Sequence, residues 1–246
     1  MPQIVVIDDD QVRLEQLRDA LLGALDESQA RVVAWIPIKD DEPAAQYKSW
    51  LESNTGLVIT DLDLTRRGLS GFSGAAVSTW CQSQLIPVAV FSVQHATMLP
   101  SVPELFELRL PSDTQEACRF AVSTLLGFKS LYDLLERDAI ASMRSPAEVL
   151  AAVLDRPHLE GQFSLYMSRL GAAGFSVMDR LRQPPSDIAA KLRDKAFLLA
   201  YVLGHVLWNL IFRFPGPILS SKALCAYVAT AESEADALAE ILRLIP

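Results

Sequence analysis

The sequence has little of what nucleic-acid-binding and secreted proteins depend on. Only 21% of its 246 residues are charged and the net charge is −8, so no basic surface is expected for a phosphate backbone. Its three cysteines form no CxxC pair and no metal-ligand spacing, which predicts buried, reduced thiols. We therefore expect a cytoplasmic protein without a nucleic-acid partner.

The sequence also has no long uninterrupted apolar run. The stretch 196–212 falls short of the roughly 20 residues that a spanning helix needs, and His205 and Asn209 interrupt it. This pattern predicts a buried core helix and no membrane partner. The first apolar run, Ile4–Ile7, is short and ends at three aspartates, so we expect no signal peptide.

Short β-rich runs alternate with helical patterns in the first half of the chain. This alternation is typical of α/β proteins, and it predicts a doubly wound, five-stranded parallel sheet. Residues 44–52 suit one of the helices. The predicted strands are 3–7, 32–36, 57–60, 87–91 and a weaker fifth at 105–108.

After Asp113 the strand pattern stops. Ser112 or Asp113 caps a helix that is predicted to continue to about Met143, and Ser145 caps the next one. The periodicity of the rest is helical. We therefore predict two domains, an α/β domain at 1–128 and an all-α domain at 129–246.

Acidic residues follow the predicted strands. Asp8 and Asp9 come directly after the first strand, and Asp61 and Asp63 end the third, while Ser92 follows the fourth. Because the carboxyl ends of parallel strands meet at one edge of the sheet, these side chains are expected to converge. Clustered carboxylates repel one another, and a hard cation such as Mg²⁺ relieves that repulsion.

The segments IVVIDDD, LVITDLDL and VAVFSVQ resemble the receiver domain of two-component response regulators. The resemblance implies that Asp8 and Asp9 hold Mg²⁺ together with Asp61 and the backbone carbonyl of Asp63. It further implies that Asp61 is the phosphoacceptor, which takes its phosphoryl group from a phosphohistidine, and that Ser92 is the switch hydroxyl.

The fifth strand departs from this family, which has a lysine followed by a proline there. In FELRLP, alignment on Pro111 puts Leu110 at the lysine position, whereas alignment of Phe106 with the family's switch aromatic puts Arg109 there. Arginine keeps the charge but not the geometry of lysine, and leucine cannot stabilise a phosphoryl group. Both alignments remain open, with Arg109 as the candidate cation.

The helical half has no comparable motif. His205 and Asn209 share a helix face and are interpreted as a buried, hydrogen-bonded pair. We expect a response regulator or pseudo-receiver that acts through protein–protein interaction of its helical domain and is modulated by aspartyl phosphorylation. Its expected partners are a sensor histidine kinase or phosphorelay protein, a downstream protein and a second copy of itself. The alternatives are a receiver-gated enzyme and a constitutive scaffold, and of these three readings we favour the non-enzymatic regulator.

Overall fold

The structure is a computed structural model. It describes residues 2–26, 29–37, 54–64, 73–91, 105–137, 145–154, 156–168 and 188–211. The predicted helix at 44–52 lies outside these residues.

Five parallel strands form one sheet in the order β2-β1-β3-β4-β5. This is a doubly wound order, which reverses direction between β1 and β3. The predicted fold class is confirmed. The strands are β1 (Gln3–Ile7), β2 (Arg31–Trp35), β3 (Thr55–Asp61), β4 (Val88–Phe91) and β5 (Leu108–Arg109).

The helices of the described residues pack on this sheet or on one another. They are α1 (Gln11–Ala24), α2 (Gly74–Ser83), α3 (Thr114–Arg137), α4 (Pro146–Val153), α5 (Glu160–Met167) and α6 (Ile188–Val206). A 3₁₀ turn, Pro157–Leu159, precedes α5, and a π-helix, Leu207–Ile211, continues α6.

The central strands β1, β3 and β4 are buried on both faces, which explains why their sequences are mostly apolar. Along β1, Ile4 and Val6 pack with α1 and α3, whereas Val5 and Ile7 pack with α2. This is the alternation expected of a strand, in which successive side chains point to opposite faces.

Helix starts follow the predicted caps. The Glu116 amide donates to the Asp113 carboxylate at 2.9 Å, and the Glu148 amide donates to the Ser145 hydroxyl at 3.1 Å. The long helix α3 runs without interruption across residue 128, where the two domains were predicted to divide.

The helical half shares its core with the end of α3. Leu131 and Leu135 pack with α4, α5 and α6, and Phe106 from the segment before β5 is buried in the same cluster. The helices α3 and α6 approach closely at Gly204, where an added Cβ would lie 2.5 Å from the Phe128 ring. A side chain at position 204 would therefore separate the two helices.

The π-helix ties the helical half to the edge of the sheet. The Asn209 amide donates to the carbonyls of Leu105 at 2.6 Å and Glu107 at 3.1 Å. These carbonyls bind a side chain instead of a strand, and β5 accordingly begins at Leu108. The fifth strand is thus shorter, and further along the chain, than the 105–108 predicted.

His205 does not pair with Asn209, so the predicted hydrogen bond between them is wrong. Both ring nitrogens of His205 are buried without a hydrogen-bond partner among the described residues. The ring packs instead against Phe106, Phe128 and Tyr201, at centroid distances of 5.5, 5.2 and 4.7 Å. Complete burial lowers the pKa of His205 from 6.5 to about 3.

Within the described part of the chain, none of the helices combines the length and apolar character needed to cross a membrane.

We expect Asn209→Ala to destabilise the protein, because it removes two hydrogen bonds and leaves the Leu105 and Glu107 carbonyls without this donor. The expected loss in the free energy of unfolding is about 1–3 kcal/mol, measured by urea denaturation. Gln84→Ala, at an exposed turn, is the control and should change the free energy by less than about 0.5 kcal/mol. Equal effects of the two substitutions would contradict the structural role of Asn209.

We expect His205 to make stability depend on pH. Between about pH 3 and 6.5 the unfolded chain protonates this imidazole while the folded protein keeps it neutral, so stability falls as pH falls through that window. The limiting slope for one group is about 1.4 kcal/mol per pH unit. His205→Phe should lose less stability than wild type between pH 7 and 5. Groups common to both proteins cancel in this comparison, and parallel stability curves would refute the assignment.

Candidate functional site

The acidic residues converge because β1 and β3 are neighbours in the sheet. Ile7 pairs with Thr60, which places Asp8 and Asp61 side by side at the carboxyl edge. Ligands bind at this edge in doubly wound sheets, at the point where the strand order reverses.

Asp8, Asp9 and Asp61 form a buried cluster, here called the acidic triad. One carboxylate oxygen from each lies within 4.8 Å of the others, and the three residues are only 4%, 2% and 5% exposed. Carboxylates this close repel one another strongly, because burial lowers the effective dielectric constant around them. A cation close to the three carboxylates would therefore stabilise this arrangement.

Arg13 brings a positive charge to the triad. Its Nη2 atom donates to Asp61 Oδ2 at 2.7 Å and to Asp8 Oδ1 at 3.0 Å, and it lies 4.0 Å from Asp9 Oδ1. Arg13 was not among the predicted site residues. Its spacing was the available signal, since Arg13 follows Asp9 by four residues, which is one turn of helix.

The start of α1 holds Arg13 in this position. Asp10 caps the helix by accepting hydrogen bonds from the amides of Val12 at 3.0 Å and Arg13 at 3.3 Å. The Asp10 amide in turn donates to Asp8 Oδ1 at 2.7 Å. The third aspartate of the run thus orients the helix and anchors one carboxylate of the triad.

The protonation behaviour of the site reflects burial and charge together. Burial raises the pKa of Asp8 to about 6, against the opposing effects of the Asp10 amide and the Arg13 guanidinium. Burial alone would lower the pKa of Arg13, but the combined attraction of Asp8, Asp61 and Asp10 raises it. Arg13 therefore stays charged over the range in which proteins are stable.

Asp9 provides the second indication of a cation site. Both of its carboxylate oxygens are buried and have no hydrogen-bond partner among the described residues. Buried carboxylate oxygens are normally bound by donors or metals, since leaving them unpaired is costly. The three carboxylates are ligands of the type that Mg²⁺ binds, so the residues fit the predicted metal.

The structure describes two of the three other predicted site residues, Asp63 and Arg109. Asp63 follows β3 and is half-buried, while Ser92 lies outside the described residues. The Arg109 guanidinium donates to the Glu107 carboxylate at 2.9 and 3.0 Å. Leu110 packs against the core on the α1 and α3 side of the sheet. The roles assigned to Asp63, Ser92 and Arg109 remain predictions.

The switch aromatic of the second alignment, Phe106, belongs to the core of the helical half. Its ring stacks on Tyr201 at a centroid distance of 5.3 Å. It is 7% exposed, so it is already buried in this structure.

Gly74 sets the position of Asp61 from the opposite side. The Gly74 amide donates to the Leu62 carbonyl at 3.1 Å, at the first residue of α2. A Cβ at position 74 would collide with the Asp61 carbonyl oxygen and would lie 2.7 Å from Leu62 Cα. Because these are backbone atoms, a side chain here would displace the phosphoacceptor candidate.

We expect Gly74→Ala to destabilise the protein by about 1–3 kcal/mol, the usual range for overpacking, and to shift the amide resonances of Asp61 and Asp8. Gly127→Ala is the matched control. It lies within α3 with no atom near its added Cβ, and should stabilise the helix by about 0.5–1 kcal/mol. An unperturbed Asp61 resonance in Gly74→Ala would disprove the predicted contact.

No family model matches the chain, and no curated protein matches it. Among solved structures it is similar to the response regulator RcsB. RcsB from Salmonella enterica serovar Typhimurium, bound to promoter rprA with the phosphomimetic BeF3−, is 12% identical with a TM-score of 0.33, over 78% of this chain and 97% of that one. Another Salmonella typhimurium RcsB structure is 14% identical with a TM-score of 0.32, over 79% and 98% of the two chains.

These neighbours require one correction. In the first of these structures, RcsB is bound to promoter DNA. In another, two RcsB dimers are bound to two parallel DNAs. That structure is 13% identical to this chain, with a TM-score of 0.32, over 79% of this chain and 98% of that one. The prediction that excluded a nucleic-acid partner is contradicted by this finding and is withdrawn. It rested on the net charge, and the total charge of a chain does not report how charge is distributed over its surface.

The fold assignment rests on the molecule's own geometry. The five parallel strands, in the order β2-β1-β3-β4-β5, form the doubly wound sheet that the alternation of strands and helices predicted. The acidic triad at the ends of β1 and β3 contains the three carboxylates that the resemblance implied would meet there. The N-terminal half of this chain has the fold of a response-regulator receiver domain.

Proposed function

We propose that this chain is a signal-transduction response regulator, whose receiver half accepts a phosphoryl group on Asp61 and whose helical half acts on a partner protein. One observation carries the proposal. Asp61 ends β3 at the sheet edge where ligands bind, and the carboxylates of Asp8 and Asp9 lie beside it. The proposed setting is the cytoplasm, and the protein turns over no metabolite.

The chemistry proposed for Asp61 is a phosphoryl transfer. A carboxylate oxygen attacks the phosphorus atom of a donor phosphohistidine, the P–N bond breaks, and its electron pair stays on the histidine nitrogen. Mg²⁺, when bound, would neutralise charge on the transferred group. Asp8, Asp9 and Asp61 would hold it, with the Asp63 carbonyl in the role that the resemblance implies.

The fifth strand offers a route from the site to the helical half. Asp61 pairs with Phe91 at the end of β4, and β4 pairs with β5. The segment before β5 carries Phe106 into the helical core and offers two carbonyls to Asn209. A movement of β4 and β5 would therefore displace residues that contact α6. This supports the proposal that phosphorylation changes the helical half.

The upstream partner in this proposal is a sensor histidine kinase or a phosphorelay protein, because Asp61 needs a phosphoryl donor. The downstream partner is a protein that contacts the helical half, and a second copy of the chain is one such partner.

A constitutive scaffold with an inactive receiver is the second candidate. It is favoured by the ion pair between Arg13 and Asp61, because a carboxylate held by a guanidinium is a poorer nucleophile than a free one. The two candidates differ in whether Asp61 is phosphorylated at all.

We expect the wild-type chain, incubated with Mg²⁺ and acetyl phosphate, to gain one phosphoryl group on Asp61, measured by intact-mass spectrometry. Asp61→Asn should abolish the gain, because an amide cannot attack phosphorus. Asp26→Asn, at an exposed aspartate after α1, is the control and should behave as wild type.

Hydrogen exchange provides the second readout. Phosphorylated wild type, but not Asp61→Asn, should show changed exchange at residues 105–109 and in the π-helix. No phosphoryl gain in wild type would favour the scaffold. An undiminished gain in Asp61→Asn would contradict the assignment of the acceptor.

A further inference from the structure

Arg13 occupies the space between the two carboxylates that flank the reaction centre. A single nitrogen, Nη2, bridges Asp8 Oδ1 and Asp61 Oδ2 at 3.0 and 2.7 Å. A magnesium ion bound to those same two oxygens would lie about 2.1 Å from each. The guanidinium and the ion would therefore overlap, and both cannot use this pair of oxygens at the same time.

The guanidinium does not satisfy the whole cluster. It donates to Asp8 and Asp61, whereas Asp9 lies 4.0 Å away with its side chain fully buried, and neither Asp9 oxygen accepts a hydrogen bond from a described residue. In the part of the chain that the structure describes, the single positive charge of Arg13 faces the three carboxylates of the triad. A divalent cation would neutralise more of this charge and would give Asp9 a partner, so the site favours a cation beyond the one that Arg13 supplies.

The side chain of Arg13 is also placed where it can move away from the triad. Arg13 lies on the first turn of α1 and its side chain is 21% exposed. The half-buried carboxylate of Asp10 lies 3.8 Å from its Nε atom. A rotation about the side-chain bonds would carry the guanidinium toward solvent without moving the helix, because the cap formed by Asp10 uses only backbone amides of α1.

We propose that Arg13 is the resident counterion of the acidic triad, and that a divalent cation binds Asp8 and Asp61 only by displacing it. This inference rests on the proposed function, since it concerns regulation of the same site. Arg13 is a positioning residue here. Its ion pair with Asp61 keeps this carboxylate from reacting with a phosphoryl donor. When a metal ion displaces Arg13, Asp61 becomes available, so metal binding and availability of the acceptor are coupled.

The test is a titration of the full chain with MgCl₂, followed by the amide resonances of Asp8, Asp9 and Asp61. Arg13→Gln keeps most of the stem and removes the charge, and it should bind Mg²⁺ at least tenfold more tightly than wild type. Arg18→Gln is the matched control. Arg18 lies on the same helix, but it pairs with Asp19 at the surface, and this substitution should leave the affinity unchanged.

Thermal unfolding gives a second readout that a merely structural role would not produce. Without metal, Arg13→Gln should unfold at a lower temperature than wild type, because the triad loses its counterion. Added MgCl₂ should raise its melting temperature more than it raises that of wild type. Arg13→Lys, which keeps a charge but not the forked geometry, should have an intermediate affinity and serves where Arg13→Gln does not fold.

The outcomes separate this inference from the proposed function. Tighter binding by Arg13→Gln supports the displacement of Arg13. Equal affinities in wild type and both Arg13 variants would overturn it, while leaving the metal site of the proposed function intact. Absence of binding in every protein would overturn both.

Discussion

The repulsion among three buried carboxylates is the constraint on which the site depends. Asp8, Asp9 and Asp61 lie together because β1 and β3 are adjacent and parallel, so their carboxyl ends share one edge. In water such charges would separate, but the strands fix them in place and burial strengthens their repulsion. A cation must compensate for this, and among the described residues Arg13 provides it. The order of the strands thus determines where the three carboxylates meet and which positive groups can reach them.

The helical half contacts the sheet beside β5, the last strand in the sheet order. The Asn209 side chain donates to two backbone carbonyls, those of Leu105 and Glu107, in the segment just before this strand. Phe106, next to these carbonyls, is buried in the helical core. The two halves therefore share a continuous interface instead of a flexible linker, and α3 belongs to both. The segment that leads into β5 therefore contacts the helices directly, through Phe106 and through the hydrogen bonds of Asn209.

The parts of this arrangement that depend on local sequence were predictable. The apolar runs gave the strands to within a few residues, and Asp113 and Ser145 cap the helices that they were expected to cap. The convergence of the acidic residues followed from the parallel sheet. Arg13 was not found, because the partners of a long side chain depend on which strands are neighbours. The pairing of His205 with Asn209 was wrong, because the amide of Asn209 donates to the segment that precedes β5.

The sequence by itself determined the alternation of strands and helices and the carboxylates that follow β1 and β3, because these depend on side-chain period and local capping. Only the tertiary structure decided which positively charged side chain forms an ion pair with Asp61. Arg109, the predicted cation, is bound to Glu107 two residues away, while Arg13, 48 positions from Asp61, reaches it across the sheet edge. Contacts between residues so far apart in the chain are set by how the strands are ordered and packed, and no local pattern records that order.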